Sequence, residues 1–285
     1  MGLFHLLNGF GKFRIGNSLI KKGALALKKR KKKVSRRLKM IAGSSYLPKE
    51  NKHKPMGEDA HFVCNERQAV GVADGVGGWA IHGIDAGIYA RELMNNTVAA
   101  LALQGPGAVD PKQALLDAHS KTTALGSSTA CIVSLKGRRL RFANVGDSGF
   151  MVFRAKRLAF RSPVQQYRFN FPYQLQRGGE VEVVEGEVWV EPGDIVVVGT
   201  DGLLDNMFAS EIEEILQTTE GRPWPEQIAW TVAAMALENA KDENYKSPFQ
   251  CDAAVAGQDH IGGKYDDITV VVAEIEPLIR SSIKL

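Results

Sequence analysis

Acidic residues that follow apolar, strand-like runs are the side chains of this sequence best suited to chemistry. The clearest is Asp74, which ends the small apolar run 70–73 and precedes Gly75, Gly77 and Gly78. The glycines allow the backbone to turn sharply and to come close to a ligand. Further acidic sites of the same kind are Glu58-Asp59, Asp147, Asp201 with Asp205, and Asp266-Asp267. Carboxylates gathered at strand ends are ligands that a hard metal ion prefers.

Several carboxylates in one cleft would repel one another and resist burial unless cations neutralise them. The three cysteines lie far apart without a CxxC pair, so oxygen ligands are expected, and these favour Mg²⁺ or Mn²⁺ over zinc. Two such ions about 3.5–4 Å apart can acidify a bridging water and clamp a phosphoryl group for in-line attack. The alternative is that each site is an ordinary turn, the usual role of Asp-Gly and Asp-Ser pairs. Five such sites beside apolar runs favour metal-dependent chemistry.

Sequence periodicity and turn signals predict many short strands, with the helices gathered in two groups. The run 194–198 is almost wholly apolar, which predicts a strand that is buried on both faces. This pattern predicts an α+β fold in which helices pack on antiparallel sheets. The predicted strands are residues 60–63, 69–73, 128–135, 139–144, 149–154, 180–184, 187–190, 194–198 and 268–275; the predicted helices are 85–103, 111–123, 210–217 and 224–241; and 242–265 are predicted to be a long polar loop.

The charge of the chain is divided between a basic leader and an acidic body. The 285 residues carry a net charge of +4, but residues 1–49 hold 14 Lys or Arg and no acidic residue. Residues 50–285 therefore hold 22 basic and 32 acidic residues, a net charge of −10. The length and the 44% hydrophobic content suit one large domain or two small ones. We predict a leader at residues 1–44, a folded domain at 45–277 and a short tail at 278–285.

Residues 28–39 form a dense basic block within this leader. Its composition is typical of a nuclear localisation signal, of a nucleic-acid or anionic-membrane patch, and of a solvated tail. The acid-free, amphipathic leader also resembles an organelle transit peptide, which favours a mitochondrion or plastid, with nucleus or cytoplasm as the alternative. The acidic body argues against specific nucleic-acid binding, because such binding would depend on the leader alone. No apolar run is long enough to predict a transmembrane segment.

Six sequence motifs resemble the protein phosphatase 2C family of metal-dependent serine/threonine phosphatases, and its short, organelle-associated branch in particular. They occur in the family's order and the resemblance covers residues 45–275, the whole predicted domain. The motifs are Gly57-Glu58-Asp59-Ala60, Val72-Ala73-Asp74-Gly75, Gly126-Ser127-Ser128-Thr129-Ala130, Ala143-Asn144-Val145-Gly146-Asp147-Ser148, Gly199-Thr200-Asp201-Gly202-Leu203-Leu204-Asp205-Asn206 and Asp266-Asp267-Ile268-Thr269-Val270. The resemblance implies a two-layer antiparallel β-sandwich flanked by helix pairs, with a binuclear Mn²⁺ or Mg²⁺ centre at one end. It also implies phosphoprotein substrates, hydrolysis at phosphoserine and phosphothreonine, and a monomer.

The resemblance further implies a role for each matching residue. Asp74 would bridge both metal ions, and the carbonyl oxygen of Gly75 would bind one of them. Asp201 and Asp266 would be direct ligands, which makes these two and Asp74 the predicted catalytic carboxylates. The remaining implied positions are Glu58 and Asp59, which match the family's Glu-Asp pair at the metals, and Asp147 and Asp205, which match positions used for a weaker third ion.

The sequence departs from the family pattern at two positions near this predicted centre. Lys54 stands where many members have an arginine that binds the substrate phosphate; lysine can bind phosphate as a point charge but without the bidentate fork. Val76 stands where many members have a histidine proposed as the general acid. These departures keep a second hypothesis open, a pseudophosphatase that acts as a binding or scaffold module, although all the implied metal-ligand positions hold carboxylates.

Overall fold

The computed structural model describes residues 37–278 apart from 106–108, 220 and 222. These residues form fourteen strands, six α-helices and a short 3₁₀ helix at Gly77–His82. The strands are β1 (Leu38–Leu47), β2 (Asp59–Cys64), β3 (Ala69–Asp74), β4 (Ser127–Ser128), β5 (Ala130–Lys136), β6 (Arg139–Val145), β7 (Gly149–Arg154), β8 (Arg157–Arg161), β9 (Gln166–Arg168), β10 (Phe171–Pro172), β11 (Leu175–Gln176), β12 (Val184–Trp189), β13 (Ile195–Gly199) and β14 (Ile268–Pro277). The helices are α1 (Ala86–Leu103), α2 (Pro111–Lys121), α3 (Asp201–Leu204), α4 (Ala209–Thr218), α5 (Pro225–Lys241) and α6 (Pro248–Val255).

Ten of these strands form two five-stranded antiparallel sheets. One sheet has the order β1-β14-β13-β7-β8, and the other has the order β12-β6-β5-β3-β2. The connection from β6 to β7 passes from one sheet to the other, and so does the chain between β1 and β2. Because these connections lead into Glu58-Asp59 and contain Asp147, the topology brings acidic residues to the region where the two sheets are joined.

Three apolar layers stabilise this arrangement, and β13 shows how they are built. Val196 and Val198 belong to the core between the two sheets, whereas Val197 packs with α4 and α5 on the outer face. A third cluster joins α1 and α2 to the opposite face of the other sheet through residues such as Leu93 and Ile132. Burial of each such side chain contributes about 1.5–3 kcal/mol. The α+β fold is confirmed as a two-layer sandwich with helices on both outer faces, and the strand at 194–198 is buried on both faces as predicted.

Local capping signals explain where the predicted helices begin. The Asp85 carboxylate accepts a hydrogen bond from the Gly87 N–H at 2.9 Å, and Asp110 accepts one from the Gln113 N–H at 3.1 Å. Pro111 follows Asp110 as the first residue of α2, where its missing N–H costs nothing. Among the described residues, no helix is both long and apolar enough to cross a membrane.

Two predictions about the secondary structure were wrong. The predicted strands 180–184 and 187–190 are replaced by one strand, β12, which pairs with β6 through all six of its residues. The predicted loop 242–265 contains α6, which Ser247 caps by accepting the Gln250 N–H at 3.0 Å. The predicted domain boundary at residue 45 falls inside β1, whose ten residues all pair with β14. The leader residues 1–36 and the tail residues 279–285 lie outside the described residues.

Truncation at residue 45 is expected to destabilise the protein, because it removes most of β1. Leu38 and Met40 are buried in the core between the sheets, and the Gln68 side chain hydrogen-bonds both the N–H and the carbonyl of Met40. Loss of buried side chains of this size costs about 2–5 kcal/mol each. We expect residues 45–285 to melt at least 10 °C below residues 37–285, or not to fold, in thermal unfolding followed by circular dichroism. Equal melting temperatures would show that β1 contributes no stability.

Candidate active site

Strands β2 and β3 place the first two carboxylates opposite each other. Asp59 is the first residue of β2, and it pairs with Asp74 at the end of β3. The backbone leaves β3 through a tight turn in which the Gly75 N–H donates to the Glu58 carbonyl at 3.0 Å. A side chain at Gly75 would come within 2.7 Å of the backbone of Ala86 and of Glu58, so only glycine fits this turn. The turn therefore fixes Glu58, Asp59 and Asp74 as one unit.

The other sheet supplies the remaining acidic residues. Asp201 follows β13 and begins α3, and Asp205 caps the end of that helix. Asp266 lies two residues before β14, and Asp147 lies in the connection between β6 and β7. Asp147, Asp201 and Asp266 lie within two residues of a buried strand, and the single helical turn α3 keeps Asp205 close to Asp201, so these carboxylates stand at one end of the sandwich. The structure thus brings together the acidic sites that the sequence placed at separate strand ends.

Mutual repulsion in this cluster shows how closely the carboxylates approach. Burial, followed by the charges of Asp201, Asp59, Asp266 and Asp147, holds the pKa of Asp74 well above its usual range. Asp74 is therefore the electrostatic centre of the cluster, since each of the other four carboxylates acts on it. A carboxylate in this position gains strongly from a nearby cation.

Three further carboxylates have pKa values close to neutrality. Burial and the charge of Asp201 raise the pKa of Asp147 to about 6. The same two causes raise the pKa of Asp266 to about 6, although Lys264 and Lys49 act in the opposite direction. Burial also raises the pKa of Asp205 to about 7, and Lys264 again opposes the shift. Without added cations the cluster therefore takes up protons near neutral pH.

Two threonines hold Asp59 in place. The hydroxyls of Thr200 and Thr269 donate to Asp59 Oδ2 at 2.8 and 2.7 Å, and both threonines are fully buried. The second carboxylate oxygen, Oδ1, is buried without a hydrogen-bond partner, and so is Oδ1 of Asp147. Buried oxygens of this kind are costly unless a ligand satisfies them. Neither threonine was predicted as a site residue, although Thr200 and Thr269 lie within the motifs that begin at Gly199 and Asp266.

Asp267 has a structural role that the sequence left open. Its Oδ1 accepts hydrogen bonds from the Lys49 N–H at 2.8 Å and the Tyr46 hydroxyl at 3.1 Å. Its Oδ2 accepts the Glu58 N–H at 2.9 Å. Asp267 thus ties the loop after β1 to the start of β2, and it orients Glu58 rather than adding another open carboxylate to the cluster.

Lys54, the predicted phosphate-binding residue, lies against Glu58. Its ammonium is 2.7 Å from Glu58 Oε1, and both side chains are less than one-fifth exposed. Lys54 therefore lies beside Glu58, at the edge of the centre. Its ammonium is already paired with the Glu58 carboxylate.

Lys264 belongs to the site, although it was not among the site residues predicted from the sequence. Its ammonium contacts Asp201 Oδ2, lies 2.8 Å from Asp205 Oδ2 and lies 3.8 Å from Asp266 Oδ2. Burial alone would lower the pKa of Lys264, but these three carboxylates raise it well above its usual value. The Gly262-Gly263-Lys264 run shortly before the Asp266-Asp267 pair was the signal that could have identified it.

The donor set fits divalent metal ions of the Mg²⁺ and Mn²⁺ type. The centre offers carboxylate oxygens, and two of them, Oδ1 of Asp59 and Oδ1 of Asp147, are buried without a hydrogen-bond partner. Among residues 37–278, with the gaps given above, no group of three or more His, Cys, Asp or Glu side chains forms a ready-made metal cage. The Lys264 ammonium contacts one oxygen of Asp201 and one oxygen of Asp205.

Comparison with known proteins identifies the family that has this architecture. Residues 65–276 match the family model described as Stage II sporulation protein E. The chain is 41% identical over 254 residues to a putative protein phosphatase 2C 24 of Oryza sativa subsp. japonica, covering 85% of this chain and 78% of that protein. The chain belongs to the protein phosphatase 2C family. It is also 49% identical to a probable protein phosphatase 2C 55 of Arabidopsis thaliana, covering 84% of this chain and 52% of that protein.

Solved structures of the protein phosphatase 2C type have the same fold. The photosystem II phosphatase PBCP is 33% identical, with a TM-score of 0.75, covering 82% of this chain and 98% of that one. The catalytic domain of the serine/threonine phosphatase PstP, solved in complex with two manganese ions, has a TM-score of 0.60 at 21% identity, covering 84% of this chain and 99% of that one. The sandwich with flanking helices predicted from the sequence motifs is confirmed. The chain spans little more than half the length of the Arabidopsis relative.

Proposed function

We propose that this chain is a metal-dependent protein phosphatase that hydrolyses phosphoserine and phosphothreonine in phosphoprotein substrates. The observation that carries the proposal is the convergence of Asp59, Asp147, Asp201 and Asp266 on Asp74 at one end of the sandwich. Membership of the protein phosphatase 2C family supports it, and so does the sequence similarity to the phosphatase PBCP. The proposal extends to a monomer in a mitochondrion or plastid, with nucleus or cytoplasm as the alternative.

The residues that would hold two Mg²⁺ or Mn²⁺ ions are those of the cluster. Asp74 would serve both ions, and Gly75, Glu58, Asp59, Asp201 and Asp266 would complete their ligands. When bound, the ions supply an acidified water as the nucleophile and positive charge for the phosphoryl oxygens. The chain's own residues orient this set. Asp267 holds the Glu58 backbone. Thr200 and Thr269 hold Oδ2 of Asp59, and its Oδ1 is left without a hydrogen-bond partner.

The second candidate function is a pseudophosphatase that binds partners without turnover. The ion pair between Lys54 and Glu58 favours it, because a lysine already engaged by a carboxylate binds a substrate phosphate less readily. Val76 in place of the general-acid histidine favours it too. If the chain is an active phosphatase, the proton that the leaving group needs must come from a source other than residue 76.

Phosphate release from a phosphothreonine peptide and an aryl phosphate tests the two candidates. The full chain is assayed in EDTA, in Mg²⁺ and in Mn²⁺, beside Asp201→Asn and the matched control Asp259→Asn, whose carboxylate is exposed in a loop. We expect metal-dependent release that Asp201→Asn lowers by about 10³-fold or more and that Asp259→Asn leaves unchanged. Release that persists in EDTA and in Asp201→Asn would refute the metal mechanism. A folded wild type that is inactive in every metal would favour the pseudophosphatase.

A further inference from the structure

Lys264 contacts two carboxylates of the cluster, and the surrounding fold holds it in that position. Its side chain is only 15% exposed, and its ammonium contacts Asp201 and Asp205 at the same time. Each contact uses one oxygen, Oδ2, of the carboxylate, and a carboxylate has two oxygens that can bind different cations. The ammonium therefore shares these residues with any ligand on their other oxygens.

The backbone of Lys264 is fixed by reciprocal hydrogen bonds to Asn206. The Lys264 N–H donates to Asn206 Oδ1, and the Asn206 side-chain amide donates to the Lys264 carbonyl, both at 2.8 Å. Asn206 directly follows Asp205, so the same segment carries the lysine's clamp and one of its carboxylate partners. The neighbouring Gly263 is pressed against α5, where a Cβ would come within 2.1 Å of the Asn239 carbonyl. Only glycine allows this approach, which places Lys264 over the cluster.

Helix α6 completes the position of Lys264. The Ser247 hydroxyl donates to the Gly262 carbonyl at 2.6 Å, and the Phe249 N–H donates to the Asp205 carbonyl at 3.1 Å. The Phe249 ring lies 5.1 Å from the Lys264 ammonium, a distance at which a cation is attracted to an aromatic face. Two short motifs, Ser247-Pro248-Phe249 and Gly262-Gly263-Lys264, therefore meet at Asp205 and hold one ammonium there. The mechanism proposed above uses neither motif.

We propose that the Lys264 ammonium, which contacts both Asp201 and Asp205, occupies the place at Asp205 that a third divalent ion would take, so that the loaded centre holds two ions and one fixed ammonium. The inference rests on the proposed function, because it assumes a metal centre at Asp74. A tethered ammonium is always present, whereas a weakly bound third ion depends on the metal concentration. The metal count of this chain should therefore reach two and stay there as the metal concentration rises.

The number of Mn²⁺ ions bound per chain tests this inference without relying on activity. The full chain, stripped with a chelator, is brought to equilibrium by dialysis against rising Mn²⁺ and analysed for metal content. We expect about two ions in the wild type and about three in Lys264→Met, which removes the charge but keeps an unbranched side chain. Lys241→Met is the matched control, because Lys241 lies over the Tyr265 ring at the exposed end of α5. It should bind two ions like the wild type.

The outcomes separate this inference from the proposed function. A wild type that binds no Mn²⁺ refutes the metal centre itself, and the inference falls with it. A wild type that binds three ions, or a folded Lys264→Met that binds only two, refutes the inference and leaves the metal centre standing. If Lys264→Met does not fold, Asp205→Asn replaces it. The count should stay at two in Asp205→Asn, and a count that falls by one ion relative to the wild type would show that Asp205 holds a metal rather than the ammonium.

Discussion

An Asp74→Asn variant is expected to lose about 10³-fold or more in phosphate release, while its metal-free form melts at a higher temperature than the wild type. Activity falls because the amide cannot hold two cations. Stability rises because folding of the metal-free wild type must either bury the Asp74 charge among four other carboxylates or protonate it, whereas asparagine requires neither. The two side chains have nearly the same shape, so packing is kept. Relief of this repulsion is worth about 1–3 kcal/mol, or about 3–10 °C in melting temperature.

Thermal unfolding in EDTA and a phosphate-release assay measure the two effects on the same preparation. Asp259→Asn is again the control, since it removes an exposed carboxylate outside the cluster and should change neither quantity. In Mn²⁺ the order of melting temperatures should reverse, because only the wild type gains stability from the ions. An Asp74→Asn protein that is less stable than the wild type in EDTA would show that the carboxylates of the metal-free centre do not repel one another as described.

The metal-free protein is expected to lose stability as the pH rises from 5 to 7.5, whereas the Mn²⁺-loaded protein loses much less. In the folded chain the pKa values of Asp147 and Asp266 rise from 3.8 to about 6, and that of Asp205 rises to about 7. Folding therefore favours the protonated acids. Their stabilising contribution is complete below pH 4 and is lost as the pH passes through 6 to 7.

The gap between the melting temperatures in Mn²⁺ and in EDTA measures this effect. It should widen by roughly 10 °C between pH 5 and pH 7.5. The comparison is needed because burial lowers the pKa of His61 and His119. These two residues therefore stabilise the folded protein more as the pH rises, and they do so equally in Mn²⁺ and in EDTA. Asp74→Asn should show little gap at either pH. A gap of constant size in the wild type would mean that the cluster does not titrate near neutrality.

Most of the strands and helices could be predicted from local sequence, because their signals lie within a few residues. The caps at Asp85 and Asp110, the proline at α2 and the apolar run of β13 each specify an element without reference to the rest of the chain. The cap at Ser247 followed by Pro248 was an equally local signal for α6, but it lay inside a polar stretch that masked it.

Strand β1 could not be predicted in this way. Its sequence adjoins the basic block of the leader and contains Ala-Gly-Ser-Ser, residues with little preference for a strand. It is a strand because β14, more than 200 residues later, offers a full edge for pairing and because the core between the sheets accepts Leu38 and Met40. Long-range pairing of this kind leaves only a weak trace in the local sequence.

The family and the acidic residues at strand ends could be read from the sequence, since both follow from short motifs in a fixed order. The role of each charge became visible in the folded structure. Asp267 accepts three hydrogen bonds and holds Glu58, Lys54 is paired with Glu58, and Lys264 lies between Asp201 and Asp205. The physical reason is that the role of a charge depends on its burial and on its partners in space. For these residues several of the partners lie about 60 to 220 positions away in the chain.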